Sequence, residues 1–257
     1  MKKFFCVLIM MFSVNICRAD TIDIDWIVDG QTYDSTTCNM GGDVTLPPTP
    51  SKTGYTFMGW QIDYTPIEYL ESTGTQYIDT GIVPNINTKI RVKFSSTGTY
   101  SAGVVGVRAS YNKNNISITT NNRTALVDFN NGSHETYRLT DYQYNMGSLV
   151  VAELSKDARI RYNPSDETTI IAQSTAVNSQ TFNITQSALL FDANSNDCTP
   201  MTGYIYYTKI WDNDVLVRDF IPVLDSNGVA CMFDKVTGQF FYNAGTGDFI
   251  AGPVINE

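Results

Sequence analysis

Apolar and polar residues alternate in short runs along most of the chain. Ile22, Ile24 and Trp26 alternate with aspartates, and the segment 89–94 places three basic and three apolar residues on opposite sides. The segment 159–162 repeats this arrangement of basic and apolar residues. A period of two is typical of half-buried strands, and no window of 12 or more residues carries a helical stripe. The pattern therefore predicts an all-β protein.

Clusters of Gly, Asn, Asp and Ser separate these runs. Residues 205–211 and 215–223 are apolar runs joined by residues 212–214, which predicts a hairpin. Residues 229–233 lead through a turn at 234–238 into a further aromatic run. Many short strands with regular turns predict a two-sheet sandwich or jelly roll.

The N-terminus has the pattern of a secretory signal. Lys2 and Lys3 precede an apolar run over residues 4–12, and Cys17 and Ala19 supply small residues before a cut. The apolar run is well short of the roughly 20 residues that a membrane span needs. We predict cleavage after Ala19, a secreted or cell-surface location, and no membrane insertion of the mature chain. A lipid anchor at Cys17 is an alternative, although Ile16 stands where a small residue is expected.

Charge narrows the choice of partner. The 257 residues carry a formal net charge of −9, and residues 1–19 hold three positive and no negative charges, so the mature chain carries −9 − 3 = −12. Phosphate binding needs a positive surface, so nucleic acid and anionic membranes are excluded as partners.

Two blocks follow the signal, and the first carries a resemblance. Val44-Thr45-Leu46-Pro47 and Lys52-Thr53-Gly54-Tyr55-Thr56-Phe57-Met58-Gly59-Trp60 resemble the signature of the internalin-type B repeat, a small β-grasp-like module of bacterial surface proteins. The resemblance implies one short module over residues 20–63. We expect Phe57 and Trp60 to pack in its core.

The second block, residues 67–254, is similar to the concanavalin A-like, laminin-G-like jelly rolls of bacterial surface and phage tail proteins. The similar segments are residues 67–81, 209–213, 216–222, 233–240 and 243–247, whereas residues 95–196 match nothing specific. The resemblance implies a concanavalin A-like jelly-roll sandwich and a tendency to bind glycans or proteins. It implies no single activity, because function does not follow from such a fold.

The sequence offers no catalytic constellation, and we predict that the protein is not an enzyme. His134 is the only histidine, which excludes a zinc site with paired histidines. Retaining glycosidases of this fold use the pattern Glu-x-Asp-x-x-Glu, and the chain lacks it. Glu68 and Glu71 are three apart, which places them on opposite faces of a strand.

Aromatic rings in loops are the predicted ligand contacts, because they pack against the apolar face of a sugar. The candidates, all in Asn-rich surroundings, are Tyr100, Tyr111, Tyr142 and Tyr144. Tyr204, Tyr206 and Tyr207 lie in a predicted strand, and we expect them in the core.

Calcium is the only cofactor that the sequence suggests. Oxygen ligands stand close together at Asp192, Asn194, Asn196 and Asp197, as in the first half of a calcium loop. Asp197 replaces the usual glycine, so an ordinary Asn/Asp turn is the alternative. Of the three cysteines in the mature chain, we expect Cys198 to pair with Cys231, which leaves Cys38 over.

These observations favour a secreted or cell-surface binding module that recognises a glycan or a surface protein. A structural or assembly protein of a surface or fibre is the alternative. A glycoside hydrolase is the least favoured function.

Overall fold

A computed structural model describes residues 2–11, 21–29, 31–39, 44–98, 101–110, 113–121, 124–132, 138–141, 146–193 and 198–255. The chain divides into two compact units. The first contains Met1–Thr65 with Asp225–Val229, and the second contains Pro66–Leu224 with Ala230–Glu257.

The N-terminal unit contains a small mixed sheet. Its strands are β1 (Lys2–Met11), β2 (Thr21–Val28), β3 (Gln31–Asn39) and β4 (Tyr55–Ile62), in the order β3-β2-β1-β4. β1 pairs antiparallel with β2 and parallel with β4. Residues 2–11 of the predicted signal segment thus form a central strand in the uncleaved chain, and removal of the segment stays a prediction.

The core of this unit is aromatic. Ile24 and Trp26 are buried, as the alternation predicted, and Trp60 packs against Trp26 with ring centroids 4.9 Å apart. The indole Nε1 of Trp26 donates a hydrogen bond to Thr36 Oγ1 over 2.9 Å. Phe57 contacts Trp60 at 5.5 Å, and both rings are half-buried, so Trp60 packs against the edge of the core and Phe57 reaches it through Trp60.

The remaining strands are β5 (Tyr64–Pro66), β6 (Leu70–Thr73), β7 (Ile78–Asp79), β8 (Thr88–Ser96), β9 (Ala102–Ser110), β10 (Lys113–Asn121), β11 (Thr124–Asn130), β12 (Arg138–Asp141), β13 (Val150–Leu154), β14 (Arg159–Tyr162), β15 (Ile170–Ser174), β16 (Leu189–Leu190), β17 (Thr199–Pro200), β18 (Thr202–Asp212), β19 (Val215–Asp225), β20 (Ala230–Asp234), β21 (Gln239–Phe241) and β22 (Ile250–Ala251).

Two sheets of the second unit form a jelly-roll sandwich. The order β15-β14-β13-β8-β18-β19-β20-β21 defines what we call the large sheet, and β12-β11-β10-β9-β16-β7 the small sheet. β6 and β22 extend the large sheet beside β18, and β17 pairs with β9 in the small sheet. The expected all-β fold class is confirmed, and the described residues contain no helix and hence none that would cross a membrane.

One apolar core lies between these sheets. Ile90, Val92 and Phe94 on β8 face Ile116 and Ile118 on β10 within a single cluster of buried residues. Their basic neighbours on β8 point away from the core and are half-buried, as the alternation predicted. The large sheet therefore has an apolar inner face and a charged outer face.

β14 departs from its expected arrangement. Arg159 and Arg161 are the buried residues of this strand, whereas Ile160 and Tyr162 are half-exposed. Arg159 is retained inside because its guanidinium donates to the Ala176 carbonyl over 2.8 Å and to Ser174 Oγ over 3.1 Å. Basic residues on a two-residue period thus faced inward here, because buried hydrogen-bond acceptors were available.

The segments that carry the jelly-roll resemblance have structural roles. Gln76 is buried, its Oε1 accepts from Ser72 Oγ and Thr73 N, and its Nε2 donates to the Asp248 carbonyl. Asn243 Oδ1 accepts from the Tyr77 and Gly245 amides. These bonds join the two ends of the unit, residues 72–77 and 243–248.

Asp234, which lies in another of these segments, also has a structural role. Its carboxylate is buried and accepts hydrogen bonds from Asp219 N, Val236 N and Thr237 Oγ1. The side chain therefore holds the turn between β20 and β21 against β19. The predicted hairpin is also present, since β18 and β19 meet through Asn213 and Asp214, both with positive φ.

The expected disulfide is absent. Cys38, Cys198 and Cys231 are all thiols in this structure. Cys231 is buried in β20, and Cys198 lies with its Sγ 3.7 Å from Ser101 Oγ, next to β17. Location in one unit was not sufficient to bring the two sulfurs together.

Candidate binding site on the outer face of the large sheet

A groove of about 510 Å³ lies on the outer face of the large sheet. We call it the outer groove, and its lining residues are Arg91, Glu167, Tyr207, Lys209, Trp211, Asp219, Ile221 and Lys235. Its volume falls in the range of small-molecule sites in proteins. It contains apolar rings together with charges of both signs.

β18 supplies the aromatic part of the groove through an irregularity in its pairing. The register with β8 shifts between Ile205 and Tyr207, so Ile205 and Ile210 both face the core while Tyr207 lies opposite Lys93. Lys209 and Trp211 follow on the outer face at a period of two. A bulge of this kind redirects side chains and allows both Tyr206 and Tyr207 to remain half-exposed.

β19 completes the side of the groove opposite Arg91. Asp219 lies across from Lys209 in the β18–β19 register, and the Lys209 ammonium is 3.5 Å from the Asp219 carboxylate. Lys235 lies beside them because its amide donates to the Asp219 carbonyl over 2.9 Å. Ile221 adds an apolar surface two residues along β19.

Glu167 forms an acidic wall and is held in an uncommon backbone conformation. It lies in the loop between β14 and β15 with a φ of 56°, which costs energy for a residue with a Cβ. Its carboxylate accepts from Lys93 Nζ over 2.8 Å and from Tyr207 Oη over 2.6 Å. Arg91 also donates to its carbonyl oxygen.

The rest of this loop is fixed by its own hydrogen bonds. Asp166 Oδ1 accepts from the amides of Thr168 and Thr169, each over 2.8 Å. These backbone hydrogen bonds lower the Asp166 pKa to about 2. Glu167 is therefore presented to the groove by an ordered turn.

The carboxylates around Arg91 have opposite pKa shifts. Burial of Glu167 acts to raise its pKa, but the hydrogen bonds from Lys93 and Tyr207 outweigh this, and the pKa is lowered. Glu153 has a raised pKa because it is buried, and the nearby Arg91 offsets only part of that effect. Burial and the bond to Glu167 together raise the pKa of Tyr207.

Cations lie against two of the rings on this face. Lys89 Nζ is 4.5 Å from the centroid of the Trp211 ring, and the Arg91 guanidinium is 4.3 Å from that of Tyr162. Such contacts fix the side chains in place before a ligand arrives. Two residues of the groove, Trp211 and Arg91, are thus each held by such a contact.

The structure does not describe the four tyrosines that the sequence predicted as ligand contacts. Tyr100, Tyr111, Tyr142 and Tyr144 lie outside the described residues, as does His134. Tyr204, Tyr206 and Tyr207 were wrongly expected in the core, since all three are half-exposed. The alternation of Lys209 and Trp211 with Ile210 is the sequence signal for this outer face. The bulge between Ile205 and Tyr207 interrupts this alternation nearer the start of β18.

Of the four predicted calcium ligands, the structure describes only Asp192. Its Oδ1 accepts from the Ala193 amide over 2.6 Å, and burial raises its pKa. Asn194, Asn196 and Asp197 lie outside the described part of the chain, so the predicted site stays a prediction. Within that part, no cluster of three or more His, Cys, Asp or Glu residues suits a metal ion.

A second cavity, of about 320 Å³, lies among the turns at one end of the large sheet. Its lining is mostly polar and includes Lys89, Lys156, Asp157 and Asp214. Lys156 Nζ donates to Asn87 Oδ1 over 3.4 Å, and Lys89 lies 4.0 Å from Asp214. It offers no aromatic surface, in contrast to the outer groove.

Comparison with known proteins gives a family match over part of the chain and a structural neighbour at low similarity. Residues 23–85 match the Listeria-Bacteroides repeat domain, which includes the segment that resembles a B repeat. Domains LG4-5 of the mouse laminin α1 chain align over 93% of this chain and 69% of that chain, at 13% identity and a TM-score of 0.40. No curated protein matches the sequence significantly. The family match thus covers one short segment of an all-β chain.

Proposed function

We propose that this protein is an exported binding module and that it recognises a glycan through the outer groove. The observation that carries the proposal is the pairing of Trp211 and Tyr207 with charged hydrogen-bonding groups in one half-exposed groove. An aromatic ring covers the apolar face of a sugar, while polar groups at its edge bond the hydroxyls. A surface protein is the other partner that the sequence suggested.

Binding rather than turnover fits the carboxylates of the groove. Glu167 is held by Lys93 and Tyr207, and Asp219 lies beside Lys209. The hydrogen bonds from Lys93 and Tyr207 lower the pKa of Glu167 and favour its charged form, whereas a general acid needs the neutral form. We therefore propose a module without enzymatic activity.

Export rests on the signal predicted over residues 1–19. Cleavage after Ala19 would remove β1, which lies between β2 and β4. Mass spectrometry of the protein released by its host tests this: an N-terminus at Asp20 supports export by cleavage, and an intact Met1 contradicts it.

A glycan array with the purified full chain tests the binding function. We expect binding by the wild type and at least a tenfold loss of affinity in Trp211→Ala, because a buried aromatic contact of about 1.4 kcal/mol or more is removed. Tyr242→Ala, which removes an exposed ring outside the groove, is the matched control and should bind normally. Absence of any bound glycan, or equal binding by Trp211→Ala, would overturn the proposal.

The same array run with calcium and with a chelator tests the metal prediction. Loss of binding on chelation would support calcium at Asp192 and its neighbours. Unchanged binding would reduce residues 192–197 to a turn.

An assembly role is the second candidate, and one observation favours it. β15 ends the order of the large sheet, and its Ile170 and Ile171 are 47% and 52% exposed. Exposed apolar edge strands pair readily with another chain. Light scattering over a range of concentrations tests this role: self-association abolished by Ile170→Lys with Ile171→Lys supports it, and a monomer at high concentration contradicts it.

A further inference from the structure

A cluster of tyrosines continues beyond the outer groove on the same face. Tyr69 lies between Tyr204 and Tyr206, with ring centroids 4.6 Å from the first and 5.6 Å from the second. All three rings are half-exposed. Half-exposed tyrosines packed edge to face present a fixed apolar surface with hydroxyls at its margin.

Lys93 connects this cluster to the groove. Its ammonium binds Glu167, which lines the groove, and also lies 5.9 Å from the centroid of the Tyr206 ring. Along β18 the aromatic residues therefore run from Trp211 through Tyr207 and Tyr206 to Tyr204. Seven residues of strand cover about 23 Å, which is far longer than one small ligand.

The balance of charge along this track differs from end to end. The groove carries three cations, Arg91, Lys209 and Lys235, beside the carboxylates of Glu167 and Asp219, whereas Glu68 and Glu71 lie near the tyrosines. Burial raises the pKa of Tyr206, and the charge of Glu68 adds to the effect. A polymer with a negative charge on every unit would be repelled by Glu68 and Glu71 at the tyrosine end, and a positively charged one would meet the excess of cations at the groove.

On this basis, and resting on the proposed glycan recognition, we propose that the ligand is a linear polysaccharide of uncharged sugars lying lengthwise along β18. Trp211 and Tyr207 bind one part of the polymer, and the rings of Tyr69, Tyr204 and Tyr206 bind a part several units away. An uncharged polymer gains from both aromatic surfaces and meets no repulsion at either end.

Calorimetry with oligosaccharides of two, four and six units tests the proposal. The probes are β-1,4-linked glucose, α-1,4-linked glucose, β-1,4-linked xylose and β-1,4-linked N-acetylglucosamine. We expect at least one series in which the hexamer binds three- to tenfold more tightly than the dimer, since each added ring contact contributes about 0.5–1.5 kcal/mol. Equal affinity for dimer and hexamer, binding restricted to sugars with carboxylate or sulfate groups, or no binding in all four series would overturn it.

Tyr204→Ala locates the second contact. It should reduce hexamer affinity to that of the dimer and leave dimer affinity unchanged, while Tyr204→Phe, which keeps the ring and the packing, should retain the length dependence. Length dependence that survives in Tyr204→Ala would contradict the track. If only this inference fails, dimers still bind and Trp211→Ala still reduces their affinity at least tenfold. If the proposed function fails, Trp211→Ala has no effect on any glycan.

Discussion

Asp128 and Glu167 each bind cationic side chains, but in opposite surroundings. Asp128 lies fully buried on β11, where its two oxygens accept from Arg138 Nε over 2.6 Å and from Arg138 Nη2 over 2.9 Å. Glu167 binds Lys93 and Tyr207 on the outer face with 31% of its side chain exposed.

This difference distinguishes polar groups that hold the fold together from polar groups that are available to a ligand. A buried charge that loses its partner is left without solvation, so the Asp128–Arg138 pair must remain complete. A half-exposed pair exchanges its partner for water or for a ligand at small cost. Asp128 and Glu167 make similar bonds, but only Glu167 is exposed enough to contact a ligand.

The largest effect expected from this comparison is that of Asp128→Ala. The substitution leaves Arg138 buried without its carboxylate, so we expect a loss of about 3–5 kcal/mol in the free energy of unfolding. Urea denaturation measures it. Asp157→Ala, at an exposed position, is the control and should stay within about 0.5 kcal/mol of the wild type. A loss in Asp128→Ala as small as in the control would remove the distinction between the two pairs.

The sequence predicted a region correctly where burial alone determines which way its side chains face. Alternation along β8 predicted its inner and outer faces, because Ile90, Val92 and Phe94 are placed by burial alone. Arg159 on β14 faces inward because Ser174 and Ala176 supply acceptors for its guanidinium, and the sequence alone does not show that these residues meet.

The outer groove was missed for a related reason. Tyr207 reaches it only because a bulge shifts the register of β18, and Glu167 reaches it from a loop about 40 residues away in the chain. The segments that carry the jelly-roll resemblance contain structural residues such as Gln76 and Asp234, but they also contain five residues of the groove. These are Lys209, Trp211, Asp219, Ile221 and Lys235. The resemblance implied a fold and no ligand site, so it did not single them out.

An effect of intermediate size concerns the backbone of Glu167. Glycine has no Cβ and adopts a positive φ without strain. We therefore expect Glu167→Gly to be more stable than Glu167→Ala by about 1 kcal/mol, although both lose the bonds to Lys93 and Tyr207. Thermal unfolding at neutral pH measures the difference. Equal stability of the two variants would show that the loop relaxes once the side chain is removed.

The smallest effect, and the sharpest contrast, is the pH dependence of the two glutamates beside Arg91. The pKa of Glu167 is lowered on folding, so its contribution is present above its ordinary value near 4.5 and is lost as the pH falls through the lowered pKa. Glu167→Gln should thus be less stable than the wild type at pH 7, by under about 1 kcal/mol, and equal to it in acid.

Glu153 should behave in the opposite way, because burial raises its pKa. The folded state then binds the proton more tightly than the unfolded state, so its contribution is greatest in acid and declines as the pH rises through the raised pKa. Relative to wild type, Glu153→Gln should therefore become more favourable as the pH rises above about 4.5, whereas Glu167→Gln should become less favourable as the pH rises from acid toward about 4.5. Urea titrations of both variants from acid to neutral pH measure the two slopes. Slopes of the same sign would mean that folding shifts the pKa values of the two carboxylates in the same direction. The contacts of Glu167 with Lys93 and Tyr207 argue against this.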